Sequence, residues 1–150
     1  MGNVNIRKGE KTDMKAVMSL IQELADYEKA PDEVNINADV LIKEAFGEGK
    51  IIDTLVAEVD GTVVGAMIYY DVFSTWKGRS MYLEDFVINA NYRRMGIGEK
   101  LFDQLILEAK KRGSAKIKWQ VIDWNEPAIK FYEKLNATLD GVWIDCTLTI

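Results

Sequence analysis

Residues 81–98 read MYLEDFVINANYRRMGIG. Residues 81–88 are apolar apart from Glu84 and Asp85, which predicts a strand. The period then changes: Ile97, Leu101, Phe102, Leu105, Ile106 and Ala109 recur at helical spacing, and Gly113 stands where a left-handed residue ends a helix. Between strand and helix lie Arg93, Arg94, Gly96 and Gly98. A helix start offers unpaired N–H groups and the positive end of a dipole, and glycines let a phosphate approach that backbone closely. A tight turn that binds nothing would use the same glycines. Two phosphate motifs are excluded, since Walker A requires Gly-Lys-Ser/Thr and the dinucleotide fingerprint requires a third glycine where Leu101 stands.

Upstream, residues 4–7 read as a strand. Thr12 is positioned to cap a helix carrying Met14, Val17, Leu20, Ile21 and Leu24, which ends near Tyr27 and Glu28. After a loop at 29–36, Asn37 caps a second helix with Val40, Leu41 and Ala45, stopped by Gly47. Residues 54–59 and 62–70 form a hairpin around Asp60-Gly61, a dipeptide suited to positive φ. A polar loop at 71–78 precedes the strand at 81–88. Downstream come a strand at 117–122, a helix from Asn125 to about Leu135, and two terminal strands within 137–149. The order βααβββαβαββ predicts a mixed α/β sheet of six or seven strands flanked by helices, in one domain over residues 1–150.

Composition narrows the chemistry. The chain has 19 Lys plus Arg against 24 Asp plus Glu, a formal charge of -5, with the basic residues scattered; this argues against nucleic acid as a partner. Histidine is absent, which removes Ser-His-Asp and Cys-His catalysis and leaves Glu, Asp, Tyr and Lys to move protons. Cys146 is the single cysteine, so neither an internal disulfide nor a cysteine zinc cluster can form, and a reducing cytoplasm is the expected setting. No signal core, membrane span or myristoylation motif is present in the sequence, and the expectation is a soluble protein off the membrane.

Three segments carry a resemblance. Arg93-Arg94-Met95-Gly96-Ile97-Gly98 resembles the Arg/Gln-x-x-Gly-x-Gly/Ala signature of the GCN5-related N-acetyltransferases, the GNAT superfamily, at the strand-to-helix junction where that family carries it. Residues 123–132, with Asp123, Trp124, Asn125 and Tyr132, resemble the family's Trp-Asn-x-x-x-x-x-Tyr stretch, and Tyr82-Leu83-Glu84-Asp85 resembles the diamine (spermidine/spermine) and thialysine acetyltransferase branch. The order of elements agrees over nearly the whole chain.

The resemblance implies a GNAT fold and acetyl transfer from acetyl-coenzyme A to a small amine by direct attack in a ternary complex, without metal. It assigns the coenzyme pyrophosphate to Arg94 and the main-chain amides of Met95, Gly96, Ile97, Gly98, Glu99 and Lys100, and the pantetheine arm to Phe86, Val87 and Ile88. Asn125, Ala128 and Tyr132 complete the coenzyme site, with Tyr132 as general acid toward the departing thiolate. Asn125 also reads as a helix cap and Tyr132 as a core aromatic. Glu84 is the implied amine-binding base; because neighbours on a strand alternate, Asp85 is expected on the other face. Tyr27, Glu28, Ser74, Trp76 and Trp119 are the remaining substrate candidates, and Ser74-Thr75 before Trp76 looks more like thialysine than polyamine enzymes. The diamine branch implies a homodimer. A non-catalytic acyl-coenzyme A sensor needs the glycine loop but neither Glu84 nor Tyr132, and a protein acetyltransferase needs an open groove.

Overall fold

A computed structural model describes residues 2–150. The chain forms two compact units, one ending at Trp119 and the other spanning Gln120–Ile150. The first holds a five-stranded sheet in the order β1-β2-β3-β4-β5, made of β1 (Val4–Lys8), β2 (Asp53–Val59), β3 (Thr62–Ser74), β4 (Gly78–Ile88) and β5 (Ile117–Lys118). The first four pair antiparallel, and β5 joins β4 in parallel. Helix α1 (Met14–Tyr27) packs with α2 (Ala38–Phe46) on one face, where Met14, Val17, Leu20 and Leu41 meet Val56, Ala66, Ile68 and Val87. Helix α3 (Ile97–Lys111) buries Ile97, Leu101, Phe102 and Leu105 and packs against β1 to β4, with Phe86 edge-on to Phe102 at 5.1 Å. Alternation along each strand supplies both cores.

Local chemistry explains most boundaries. Asp60 and Gly61 both have positive φ, as the tight β2–β3 turn requires. Asn37 caps α2 by accepting from Val40 N at 3.1 Å. For α1 the cap is Asp13, not Thr12. A 3-10 turn at Lys11–Asp13 comes first, and Asp13 accepts from Glu10 N at 2.7 Å while a two-pronged contact from Arg7 holds it.

Three sequence expectations need correction. The polar stretch 71–78 continues the β3–β4 hairpin as far as the Ser74↔Gly78 pair, because its side chains satisfy each other across strands, as in the Arg79–Asp71 ion pair. The strand expected at 117–122 is only two residues long. Its ladder with β4 ends at Tyr82↔Lys118, just before a bulge at Glu84 bends β4. The second unit contains α4 (Glu126–Lys134), but residues 137–150 form no strand: Val142, Ile144, Leu148 and Ile150 alternate as strand residues do, yet lie exposed without a ladder partner among the described residues. The sheet therefore has five strands rather than six or seven.

Candidate active site

The sheet face under α1 acquires its chemistry at the β4 bulge. Between Ile68↔Asp85 and Tyr69↔Leu83 the register slips, leaving Glu84 as an extra residue opposite β3. Glu84 lies on the face of Tyr82 and Tyr70, and the Tyr70 hydroxyl donates to Glu84 Oε1 at 2.8 Å. Asp85 pairs with Ile68, a residue of the α1-side core, so the bulge adds it to the same face. The expected separation of the two carboxylates does not occur, because alternation holds only for an unbulged strand.

A third carboxylate arrives from α1, whose C-cap is Glu28. None of Glu28, Glu84 and Asp85 forms an ion pair among the described residues. Burial, then the charges of Glu84 and Glu28, push the Asp85 carboxyl up to about 6, and burial also raises Glu28. Burial and the hydrogen bond to Glu84 raise the Tyr70 hydroxyl. Crowded carboxylates of this kind are relieved by a bound cation. Tyr27 stands beside Glu28, half-exposed, with the Arg93 guanidinium 5.3 Å from its ring centre.

The other end of β4 leads into the glycine turn. Glu23 on α1 fixes the exit from the strand by accepting from Asn89 Nδ2 at 3.1 Å and Ala90 N at 2.9 Å. Arg94 and Gly96 both adopt left-handed φ, of 63° and 75°. That conformation costs a residue other than glycine about 1 kcal/mol, and Arg94 carries it while remaining exposed. Gly96 is the N-cap of α3, no side chain caps the helix, and a Cβ on Gly96 would meet nothing within 4 Å. An uncapped helix start, open space above it and an exposed arginine suit a pyrophosphate. From Leu83 onward, β4 has no strand of the described residues beside its β5-side flank.

In the second unit, Asn125 caps α4 by accepting from Ala128 N at 3.4 Å, and the buried Tyr132 lies 5.8 Å from the Phe131 ring. Among the described residues no cluster of His, Cys, Asp or Glu is arranged to hold a metal ion, and no helix is long and apolar enough to cross a membrane.

The pattern that defines the Acetyltransferase (GNAT) family matches residues 17–137. The chain belongs to this GNAT family. It is 36% identical over 145 residues to the thialysine N-epsilon-acetyltransferase of Sus scrofa and 38% identical to that of Bos taurus, covering 91% of this chain and 85% of each relative. An integron cassette protein of V. cholerae, 23% identical, shares the fold with a TM-score of 0.79 over 97% of this chain and 92% of its own. The protein is thus an enzyme of the N-acetyltransferase class.

Within this GNAT chain the substrate candidates divide between the two sheet faces. Glu28 and Glu84 share the α1 face. Trp119 packs against Phe102 of α3 at 5.2 Å, and alternation from Lys118 sets it on the opposite face. Ser74 Oγ accepts from Trp76 N and Lys77 N at 3.3 and 3.1 Å, which fixes the hairpin tip where Trp76 stands exposed. Sequence reading missed the company that Glu84 keeps: Asp85, Tyr70, Tyr82 and, one strand over, Lys118. Lys118 was within reach of the β4–β5 alternation; Asp85 was hidden because no residue in the run marks a bulge.

Proposed function

We propose that this GNAT enzyme moves the acetyl group of acetyl-coenzyme A to the amine of a small molecule of the thialysine, lysine or diamine type. The gathering of Glu28, Glu84 and Asp85, none of them in an ion pair among the described residues, beside the open flank of β4 is the observation that carries this reading. The coenzyme supplies an acetyl thioester. Arg94 and the main-chain amides from Met95 to Lys100 hold its pyrophosphate, and the backbone of Phe86, Val87 and Ile88 pairs with its pantetheine arm. Asn125 caps α4, and the family resemblance alone adds Asn125, Ala128 and Tyr132 to the residues proposed for the coenzyme.

Glu28 and Glu84 draw in the ammonium, and Asp85 takes its proton. A carboxylate near 6 is roughly 100-fold more basic than an ordinary aspartate, though still about four pKa units below an alkylammonium, so desolvation of the amine must supply the rest. The neutral nitrogen attacks the acetyl carbonyl, a main-chain N–H near Phe86 or Val87 steadies the oxygen, and the carbon–sulfur bond breaks as Tyr132 gives its proton to the thiolate; the second proton, shed by the new amide nitrogen, returns the Tyr132 phenolate to its neutral form.

A single catalytic domain spanning residues 1–150, working in the cytoplasm as a homodimer, completes the reading. Support for the dimer comes from exposed Val142, Ile144, Leu148 and Ile150, an apolar surface that a second copy would cover. Thiol release from acetyl-coenzyme A with thialysine, lysine, putrescine, spermidine, spermine and amino-terminal peptides tests the reaction. Release with the small amines is expected, falling roughly 10- to 1,000-fold in Tyr132→Phe with a modest change in melting temperature. Release with peptides alone overturns the small-amine reading.

A further inference from the structure

Along the sheet face that carries Glu84, the charge changes sign. Tyr82 pairs with Tyr70 on one side and with Lys118 on the other, so Lys118 projects from the same face as the carboxylates. One row further, Val72 pairs with Ser80, and Lys116 O accepts from Met81 N where β5 begins. An open cleft of about 440 Å³ begins at this row, lined by Ser80, Tyr82, Lys116 and Lys118 and by Phe73 and Trp76 of the β3–β4 hairpin. Neither lysine forms an ion pair among the described residues. Two ammonium groups with no carboxylate between them make the cleft attractive to an anion and hostile to a second substrate ammonium.

The spacing matters as much as the sign. Alternate residues on one strand face stand about 7 Å apart, which separates the Glu84 position from the Tyr82–Lys118 row. A lysine side chain, or that of its sulfur analogue, spans roughly the same length between its amine and its α-carbon. Tyr82 neighbours both ends, two residues from Glu84 on β4 and paired with Lys118, and its ring, 5.6 Å from that of Tyr70, offers apolar surface for the methylene chain.

We infer that Lys118, assisted by Lys116, binds the α-carboxylate of an amino-acid substrate whose side-chain amine lies at Glu84 and Asp85, and that this pairing selects amino acids over diamines of equal length. The inference rests on the proposed acetyl transfer at that face. A diamine would bring an ammonium to the lysines, whereas an amino acid satisfies both ends at once. Ser74 and Trp76 then shape the mouth of the cleft, and the discriminating charge comes from β5.

Matched substrates that differ only by the carboxylate provide the test: lysine against cadaverine, and ornithine against putrescine, assayed by thiol release in the wild type, Lys118→Met and Lys118→Glu. In the wild type kcat/KM favours the amino acid of each pair by at least about tenfold, with the advantage shrinking as salt is raised. Lys118→Met removes most of that advantage through KM, and Lys118→Glu inverts it by improving the diamine. Because Lys118 is exposed, thermal melting of the variants stays at the wild-type value. Equal constants within each wild-type pair, or a Lys118→Glu change that slows both members alike, overturn the carboxylate site and leave acetyl transfer standing. No thiol release with any of the four amines, nor with thialysine, overturns both.

Discussion

The hydroxyl of Tyr70 donates to Oε1 of Glu84 across 2.8 Å, a diagonal contact between β3 and β4 at the bulge. It fixes one oxygen of the carboxylate, the orientation that the proposed role of Glu84 as anchor for the ammonium requires. Tyr70→Phe should loosen that anchor without emptying the face. The expected result is a three- to tenfold rise in KM for the amine, about 1 kcal/mol for a lost hydrogen bond to a charged group, with kcat changed less. A loss confined to kcat would instead make Tyr70 a participant in proton transfer.

The left-handed turn ahead of α3 separates a coenzyme role from a purely architectural one. Gly96→Ala keeps the chain path at a cost of about 1 kcal/mol for positive φ, and places a methyl group in the open space above the helix start. Coenzyme A affinity, read by calorimetry on the folded variant, should fall at least tenfold, more than the strain alone explains. Lost stability with full affinity would reduce the glycine to a turn former.

Arg112, just past α3, fastens helix to sheet. It reaches Asp53 on β2 at 3.0 Å, Asp71 on β3 at 3.2 Å and Glu108 at 3.1 Å, and lies 5.3 Å from the ring centre of Tyr69, whose buried hydroxyl has no hydrogen-bond partner among the described residues. Arg112→Leu removes the shared central cation and leaves Asp53, Asp71 and Glu108 only their outer partners Lys50, Arg79 and Lys8. A loss of roughly 2–4 kcal/mol follows, or about 5–15 °C in melting temperature, and Arg112→Lys recovers only part because a point charge cannot span three partners. Equal melting of all three forms would show the network to be solvent-screened.

Much of this was legible in the sequence because it depends on local rules. Asn37 and Asn125 cap where their spacing to the apolar run says they should, Asp60-Gly61 turns the hairpin, and the change of period after Gly96 locates α3 beside its glycine loop. What stayed hidden depends on pairing. A bulge is a property of two strands, so the sequence of β4 alone set Asp85 on the wrong face. The hairpin tip looked like a loop because its charges, Asp71 and Arg79, answer each other only across the ladder. At the terminus, the two strands expected within 137–149 do not form, because a strand needs a neighbour as well as a pattern.

Asp85 offers the sharpest test of chemistry against stability. Its carboxyl is raised from 3.8 to about 6, by burial first and by Glu84 and Glu28 second. Between those two values the folded protein holds a proton that the unfolded chain has lost, so this group's contribution to stability declines as pH climbs from about 4 through 6 and stays lost above. A shift of that size corresponds to at most roughly 3 kcal/mol, less after allowance for its partial exposure. Asparagine cannot ionise. Asp85→Asn should therefore melt several degrees above the wild type at pH 8, by about 1–3 kcal/mol, while the two forms converge near pH 4. Its activity should move the opposite way. Wild-type kcat/KM should rise through a pKa near 6 as Asp85 becomes able to accept the proton, whereas the variant is slow throughout and lacks that inflection. Melting curves and rate profiles over the same pH series check both halves. A variant that loses stability at pH 8 would mean the ionised carboxylate is held by favourable contacts, and one that keeps the inflection would assign the proton to Glu84.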